Sequence, residues 1–189
     1  MFVSLLRILK KQSVHLLTHN VSIGKNVTVD FGTKIYNNSN KITIGDNVYL
    51  RSIKKGYQAG MPFPTTLLID VAGASIEIGD QSRINGVYIH AQKKIVIGKM
   101  CVIASGVNII DSNGHILYSA DRTKKERDLP EEIIIGNNVW VGVNSIILKG
   151  TKIGDNSVVG AGSVVKGTYP ENSLIVGNPA TVVKILDIR

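Results

Sequence analysis

The segment from Ile135 to Val165 reads IGNNVW VGVNSI ILKGTK IGDNSV VGAGSV V, and its pattern repeats every six residues. An aliphatic residue opens each unit, and a small or β-branched side chain follows four positions later. A period of six fits neither the 3.6-residue turn of an α-helix nor the alternation of one long strand. The aliphatic positions are Ile135, Val141, Ile147, Ile153, Val159 and Val165.

A repeat this short predicts brief strands that end in sharp corners, where glycine relieves backbone strain. Glycine follows the aliphatic residue at Gly136, Gly142, Gly154 and Gly160. One unit cannot bury its apolar side alone, so successive units must stack on one another. The pattern therefore predicts an all-β solenoid.

The composition fits one such domain of 189 residues, because 43% of the residues are hydrophobic and only 5% are aromatic. A formal net charge of +8 favours anionic partners, although solubility alone explains it equally well. Aromatic residues are too sparse for the usual nucleic-acid surfaces, so we expect no nucleic-acid partner. No phosphate-binding Gly-Lys-Ser/Thr element and no dinucleotide fingerprint is present.

The single cysteine and the lack of an apolar run of about 20 residues lead us to expect a cytoplasmic protein. Residues 1–20 have helical apolar spacing and differ in composition from the rest of the chain. We expect a short N-terminal helical cap there, and the alternative is weak contact with a membrane surface. Residues 21–189 form the solenoid domain, with excursions at about 51–66 and 116–132 where the repeat stops.

The break at residues 109–115, sequence IIDSNGH, contains the strongest candidate for a catalytic residue. His115 stands where the next aliphatic residue of the repeat is expected. Histidine is a natural general base near neutral pH, and a break in a rigid scaffold is a common place for binding residues. By the pattern alone, a structural histidine and a general base both remain open.

Several motifs together resemble those of the hexapeptide-repeat acyltransferases, in particular galactoside and maltose acetyltransferases and bacterial surface-polysaccharide O-acetyltransferases. These motifs are Asp111 and Gly114-His115, a charged segment over residues 116–132, and the run IGNNVWVG from Ile135 to Gly142. The resemblance implies a left-handed parallel β-helix with three repeats per turn. It also implies acetyl-CoA as the donor substrate, a saccharide hydroxyl as the acceptor, a homotrimer and no metal.

The resemblance also implies roles for individual residues. His115 is the expected general base, and Asp111 either orients the imidazole, contacts the acceptor or closes a turn. Asn85 and Trp140 are expected to bind the acceptor or the acyl group, with a corner role and plain packing as their alternatives. The expected coenzyme A contacts are Gly142, Ala161, Lys166 and Lys184.

Three other functions stay open at this stage. An amino-sugar N-acetyltransferase would use the same fold and donor. A zinc lyase on this fold would need three converging histidines, and only two histidines lie within the repeats. A non-catalytic scaffold would lack affinity for acetyl-CoA.

Overall fold

The computed structural model describes residues 20–37, 40–124 and 128–188, and every regular element within these ranges is a β-strand. The predicted helical cap over residues 1–20 lies outside the described residues, apart from Asn20. The strands in the first half of the chain are β1 Val21–Ile23, β2 Thr28–Val29, β3 Lys34–Asn37, β4 Lys41–Ile44, β5 Tyr49–Arg51, β6 Thr66–Ile69, β7 Ser75–Ile78, β8 Arg83–Asn85, β9 Tyr88–Ala91, β10 Lys94–Ile97 and β11 Val102–Ile103.

The strands in the second half are β12 Asn108–Ile110, β13 Ile133–Ile135, β14 Trp140–Val141, β15 Ile146–Leu148, β16 Lys152–Ile153, β17 Val158–Val159, β18 Val164–Val165, β19 Thr168–Tyr169, β20 Ser173–Gly177 and β21 Ala180–Ile185. Successive strands along the chain belong to three different sheets in rotation. The chain therefore coils, and three strands make one turn.

The three sheets are the faces of a triangular prism. Face A has the order β1-β4-β7-β10-β13-β16-β19, face B has β2-β5-β8-β11-β14-β17-β20-β21, and face C has β3-β6-β9-β12-β15-β18. All neighbouring strands are parallel except β20 and β21, which form an antiparallel hairpin at the C-terminal end. We name the edges after the faces they join: A–B, B–C and C–A.

The interior is a set of aliphatic columns, because equivalent residues of successive coils lie in register. Ile78, Ile97, Ile135 and Ile153 form one such column on face A. All six aliphatic positions of the repeat between residues 135 and 165 are at most 2% exposed, as predicted. Burial of each side chain of this size contributes about 1.5–3 kcal/mol relative to exposure.

Polar side chains at edge A–B tie each coil to the next one. The Asp155 Oδ1 accepts a hydrogen bond from the Asn137 amide at 2.8 Å, and the Asn137 Oδ1 accepts one from the Lys99 amide at 2.9 Å. Asn138 and Asn156 both have positive φ, at 54° and 59°, and their side chains bond each other at 3.0 Å. The Gly-Asn/Asp-Asn sequence of the repeat is thus a corner that also bonds between coils.

Two segments without strands interrupt the coils of the described residues. One strand-free segment, residues 52–65, leaves the prism at edge B–C, between β5 and β6. A second one leaves at edge C–A, between β12 and β13, and its described residues are 111–124 and 128–132; we call residues 111–132 the His115 loop.

The core position expected at residue 115 is occupied by Ile135, which pairs with Ile97 when the chain returns to face A. The expectation that an imidazole replaces a core aliphatic residue is therefore wrong. The chain inserts a loop instead, and His115 lies exposed within it.

No helix in the described ranges is long and apolar enough to cross a membrane.

Successive coils approach each other closely at Gly98, at edge A–B, and a substitution there tests whether this approach is needed for stability. A Cβ at this position would lie 2.5 Å from the carbonyl oxygen of Gly136, which is backbone and cannot move aside cheaply. We expect Gly98→Ala to lower the free energy of unfolding by about 1–3 kcal/mol. Gly114→Ala is the matched control, because nothing lies within 4 Å of a Cβ there. Denaturant unfolding measures both variants. An equal loss of unfolding free energy in the two would show that the close approach of the coils at Gly98 does not contribute to stability.

Candidate active site

A cleft of about 740 Å³ runs along face B to edge B–C, under part of the 52–65 segment. Strands β5, β8, β11, β14 and β17 supply its floor, and residues 56–59 supply its rim. Four of the predicted site residues line it: Asn85, Trp140, Gly142 and Ala161. The fold therefore brings together residues that are up to 76 positions apart in sequence (from 85 to 161).

Two predicted acceptor residues differ in how they meet the cleft. The Trp140 side chain is 55% exposed on the outer surface of β14, so its indole is not part of the core. Asn85 is 5% exposed, and its Nδ2 donates to the carbonyl of Ile103 at 2.9 Å. Asn85 thus supports the next coil and lines the cleft at the same time.

Edge B–C offers unused main-chain donors beside the cleft. Gly142 and Gly160 continue the inter-coil ladder, with N–H donation at 2.8 Å to the carbonyls of Val159 and Ile175. Within the described residues, the N–H groups of Val143 and Ala161 donate no hydrogen bond. Both residues line the cleft, so an amide-containing ligand lying along this edge would find two donors.

The other predicted site residues lie outside the cleft. His115 is exposed in its loop at edge C–A and is not among the residues that line the cleft. Lys166 follows β18 at the same edge, and Lys184 lies on β21; both are exposed. Two predicted donor contacts, Gly142 and Ala161, therefore lie at a different edge of the prism from His115 and Lys166.

The Asp111 carboxylate is buried and bonds to the main chain of the preceding coil. Its Oδ1 accepts from the Gln92 amide at 2.7 Å, and its Oδ2 accepts from the amides of Lys93 and Lys94 at 2.8 and 2.9 Å. Asp111 therefore closes the 92–94 turn at edge C–A. A role in orienting His115 or contacting the acceptor finds no support in these contacts.

The base of the His115 loop is held by a brace that the sequence did not reveal. The Asp128 Oδ2 accepts from the Asn113 side chain at 2.6 Å and from Lys149 Nζ at 2.7 Å. Lys149 also donates to the carbonyl of Leu129 at 3.0 Å and pairs with Glu131 at 3.3 Å. Because Asn113 is two residues from His115, the brace connects the histidine segment to the coil that follows the loop.

These contacts shift the pKa values of Asp128 and Lys149 in opposite directions. The Lys149 ammonium, and then the Asn113 amide, lower the pKa of Asp128 below its ordinary value of 3.8. The Asp128 carboxylate is the main cause that raises the pKa of Lys149 above 10.5. The brace is therefore fully charged throughout the neutral range.

A second histidine also lies toward edge C–A. His90 Nε2 is 2.9 Å from Asp70 Oδ1, and the His90 ring contacts the Tyr88 ring edge-on at a centroid distance of 6.2 Å. His90 had no assigned role from the sequence. Its acidic partner is 20 residues away and belongs to the preceding coil, so no local motif indicates the pair.

Cys101 and the acidic side chains suggest no further chemistry. Burial raises the pKa of the Cys101 thiol, which donates to the carbonyl of Gly136 at 3.1 Å. In the described part of the chain, no three His, Cys, Asp or Glu side chains come together as a group that could hold a metal ion.

The repeat that positions these groups has a known family counterpart. Residues 132–167 match the family Bacterial transferase hexapeptide (six repeats). This part of the chain carries a repeat similar to that of the bacterial hexapeptide transferases. The resemblance inferred from the sequence is thereby confirmed.

Curated relatives of this hexapeptide-repeat chain are named as acetyltransferases. It is 36% identical over 127 residues to the putative lipopolysaccharide biosynthesis O-acetyl transferase WbbJ of Escherichia coli (strain K12), covering 62% of this chain and 65% of that one. It is 36% identical over 119 residues to galactoside O-acetyltransferase of the same strain, covering 62% and 57%. The matches thus span less than two thirds of the length of these relatives.

A solved structure confirms the fold class over almost the whole hexapeptide-repeat chain. A variant of AntD, an N-acyltransferase from Bacillus cereus, in complex with dTDP and coenzyme A, superposes with a TM-score of 0.70 at 20% identity. The superposition covers 94% of this chain and 89% of that one. The fold is a left-handed parallel β-helix, as expected.

Asp128→Asn tests the brace through the pH dependence of stability. A lowered pKa means that the contribution of Asp128 is present above its unfolded pKa near 3.8 and is lost as the pH falls through the folded pKa. We expect the stability difference between wild type and Asp128→Asn to be largest near pH 7 and to shrink as the pH falls below about 4. Denaturant unfolding at several pH values measures it. Parallel pH profiles for both proteins would contradict a folded-state interaction of the Asp128 carboxylate.

Proposed function

We propose that this protein is an acetyl-CoA-dependent O-acetyltransferase that acts on a saccharide hydroxyl. The observation that carries the proposal is the cleft at edge B–C, where Asn85, Trp140, Gly142 and Ala161 come together. The resemblance assigns these same four residues to the donor and the acceptor. They were assigned from sequence motifs, before the position of the cleft was known. The names of the two relatives, a lipopolysaccharide O-acetyl transferase and a galactoside O-acetyltransferase, support a saccharide acceptor.

The donor fits the main chain of edge B–C. The pantetheine arm of acetyl-CoA contains two amides in an extended chain, and the free N–H groups of Val143 and Ala161 are suited to their carbonyl oxygens. A Cβ at Gly142 would lie 2.6 Å from the Ala161 nitrogen, so the glycine there allows the coils to stack closely at this edge. The exposed cation of Lys184, on β21 beside face B, is available for the phosphate end of the donor. Lys166 lies at edge C–A, so in this proposal it reaches the donor of a neighbouring copy.

The acceptor fits beside the exposed indole of Trp140. An apolar sugar face packs well on an aromatic ring, and Asn85, two strands away on β8, presents a side-chain amide to the same cleft. The acetyl thioester would reach this place from edge B–C. Sugar hydroxyl and thioester carbonyl would then be held close together, which removes much of the entropic cost of their encounter.

His115 supplies the base in this proposal. Its imidazole takes the proton of the sugar hydroxyl while the oxygen attacks the thioester carbonyl. The tetrahedral intermediate then collapses, the carbon–sulfur bond breaks, and the imidazolium returns the proton to the coenzyme A thiolate. The products are an O-acetyl ester and free coenzyme A.

Because His115 is separated from the cleft of its own chain, the mechanism proposed here needs a second copy, and we propose a homotrimer. His115 projects from edge C–A, whereas the cleft lies at edge B–C of the same prism. Packing three prisms side by side in a closed ring brings edge C–A of one copy against edge B–C of its neighbour. Each active site would then take the base from one copy and the binding cleft from another.

His115→Asn tests the base assignment. We expect at least about 100-fold lower turnover, because general-base catalysis contributes on the order of 10²–10⁴. Coenzyme A release against a panel of free, nucleotide-linked and polymeric sugars measures it, and gel filtration verifies that the oligomer is unchanged. His90→Asn is the matched control and should retain most of the activity. Loss of activity in the His90 variant, with activity retained in the His115 variant, would show that His115 is not the base.

Mixing two inactive variants tests the shared site. His115→Asn removes the base, and Ala161→Trp fills the cleft with an indole. Random trimers formed by unfolding and refolding equal amounts should recover about a quarter of wild-type activity, because each site draws independently on two copies. A site contained within one chain predicts no recovery, since every chain would then carry a defect.

A further inference from the structure

The side chains that line the cleft carry a net positive charge. Its lining includes two arginines, Arg51 and Arg83, and no aspartate or glutamate among the described residues. Some other cations on the prism have acidic partners: Lys94 pairs with Glu77, and Lys99 pairs with Asp80. In the ranges that the structure describes, neither Arg51 nor Arg83 forms an ion pair.

Arg51 is held in place by stacking and not by an acid. Its Cζ lies 4.9 Å from the Tyr49 ring centroid and 5.6 Å from that of Tyr57. The Tyr49 hydroxyl is in turn fixed by the buried Asp30, at 3.2 Å. Stacking on two rings restrains the guanidinium, and its N–H groups donate no hydrogen bond to the residues that the structure describes. A restrained guanidinium with free in-plane donors suits a planar anion.

Arg83 lies in the same row of side chains as Trp140. Tyr49 pairs with Arg83, Arg83 with Val102, and Val102 with Trp140, and these residues stand on adjacent parallel strands of face B. With about 4.8 Å between strands, Arg83 and Trp140 are separated by roughly 10 Å along the floor. A single sugar ring with one substituent spans that length.

We propose that Arg51 and Arg83 form an anion subsite that binds a carboxylate or phosphate group of the acceptor, so that the acceptor is an acidic saccharide. The inference rests on the proposed function in one respect, namely that the bound saccharide is the acetyl acceptor. The anion subsite itself is defined by the two arginines alone. It places the acidic group at the β5–β8 end of the cleft and the reacting hydroxyl near Trp140. The edge B–C donors at Val143 and Ala161 remain available to acetyl-CoA.

Direct binding tests the subsite without any acetyl transfer. The probes are galactose and glucose, their uronic acids and their 1-phosphates, titrated by calorimetry into the protein saturated with coenzyme A. We expect an acidic form to bind at least about tenfold more tightly than the neutral parent sugar, because hydrogen bonds to a charged group are among the stronger ones. Equal affinity for acidic and neutral forms, or no binding of any acidic form, would overturn the proposal.

The variants are Arg51→Gln, Arg83→Gln and the charge-retaining Arg51→Lys, with Lys41→Gln as the control on exposed face A. The two glutamine variants should lose the preference for the acid, Arg51→Lys should keep part of it, and Lys41→Gln should keep all of it. Thermal unfolding verifies that each variant is folded. If the glutamine variants keep the preference for the acid, the subsite is not at these arginines.

The affinity for coenzyme A shows whether the arginines bind the acidic group of the acceptor or the phosphates of the donor. Coenzyme A is titrated into each variant without sugar, and its affinity should stay within about twofold of wild type. A loss of coenzyme A affinity with unchanged sugar affinity would overturn the proposal, because the arginines would then bind the donor phosphates. If acidic sugars bind through the arginines but no coenzyme A is released from acetyl-CoA, the proposed function fails and the subsite stands.

Discussion

The structure depends on the registered stacking of inward aliphatic side chains from one coil to the next. Columns such as Ile78, Ile97, Ile135 and Ile153 bury almost all of their surface, and they do so only if each coil repeats the path of the previous one. This constraint fixes the length of each strand and the place of each corner. Everything variable in the chain must therefore leave the prism at an edge.

The two excursions obey this constraint and so determine the chemistry of the edges. The 52–65 segment leaves at edge B–C and forms the rim of the cleft. The His115 loop leaves at edge C–A and is pinned at its base, where the Glu131 amide donates to the Asp111 carbonyl at 2.9 Å. A rigid triangular scaffold cannot bring two of its own edges together, so the function proposed here depends on contact between copies.

Much of the fold could be predicted from sequence because its signal is local. The six-residue period and the glycine corners are visible within short windows, and the structure confirms the fold class that they predict. The cleft was partly predictable, because Asn85, Trp140, Gly142 and Ala161 each lie in a short motif. Arg51 and Arg83 were missed, since they share the cleft only through the stacking of β5 on β8.

The remaining site features depend on contacts between coils. Asp111 bonds to main chain 17–19 residues earlier, and Lys149 bonds to Asp128 21 residues earlier. No spacing rule within a single coil specifies such partners. The period also misplaced His115, because a count of six cannot reveal that the loop is an insertion and that Ile135 fills the core position instead.

A crystal structure of the protein with coenzyme A tests the central claim most directly. The account predicts that the pantetheine arm lies along edge B–C, within hydrogen-bonding distance of the Val143 and Ala161 amides of one copy. It further predicts that the thiol sulfur lies close to the imidazole of His115 from a neighbouring copy. Coenzyme A bound at another edge, or with its sulfur remote from His115 of every copy, would contradict the account.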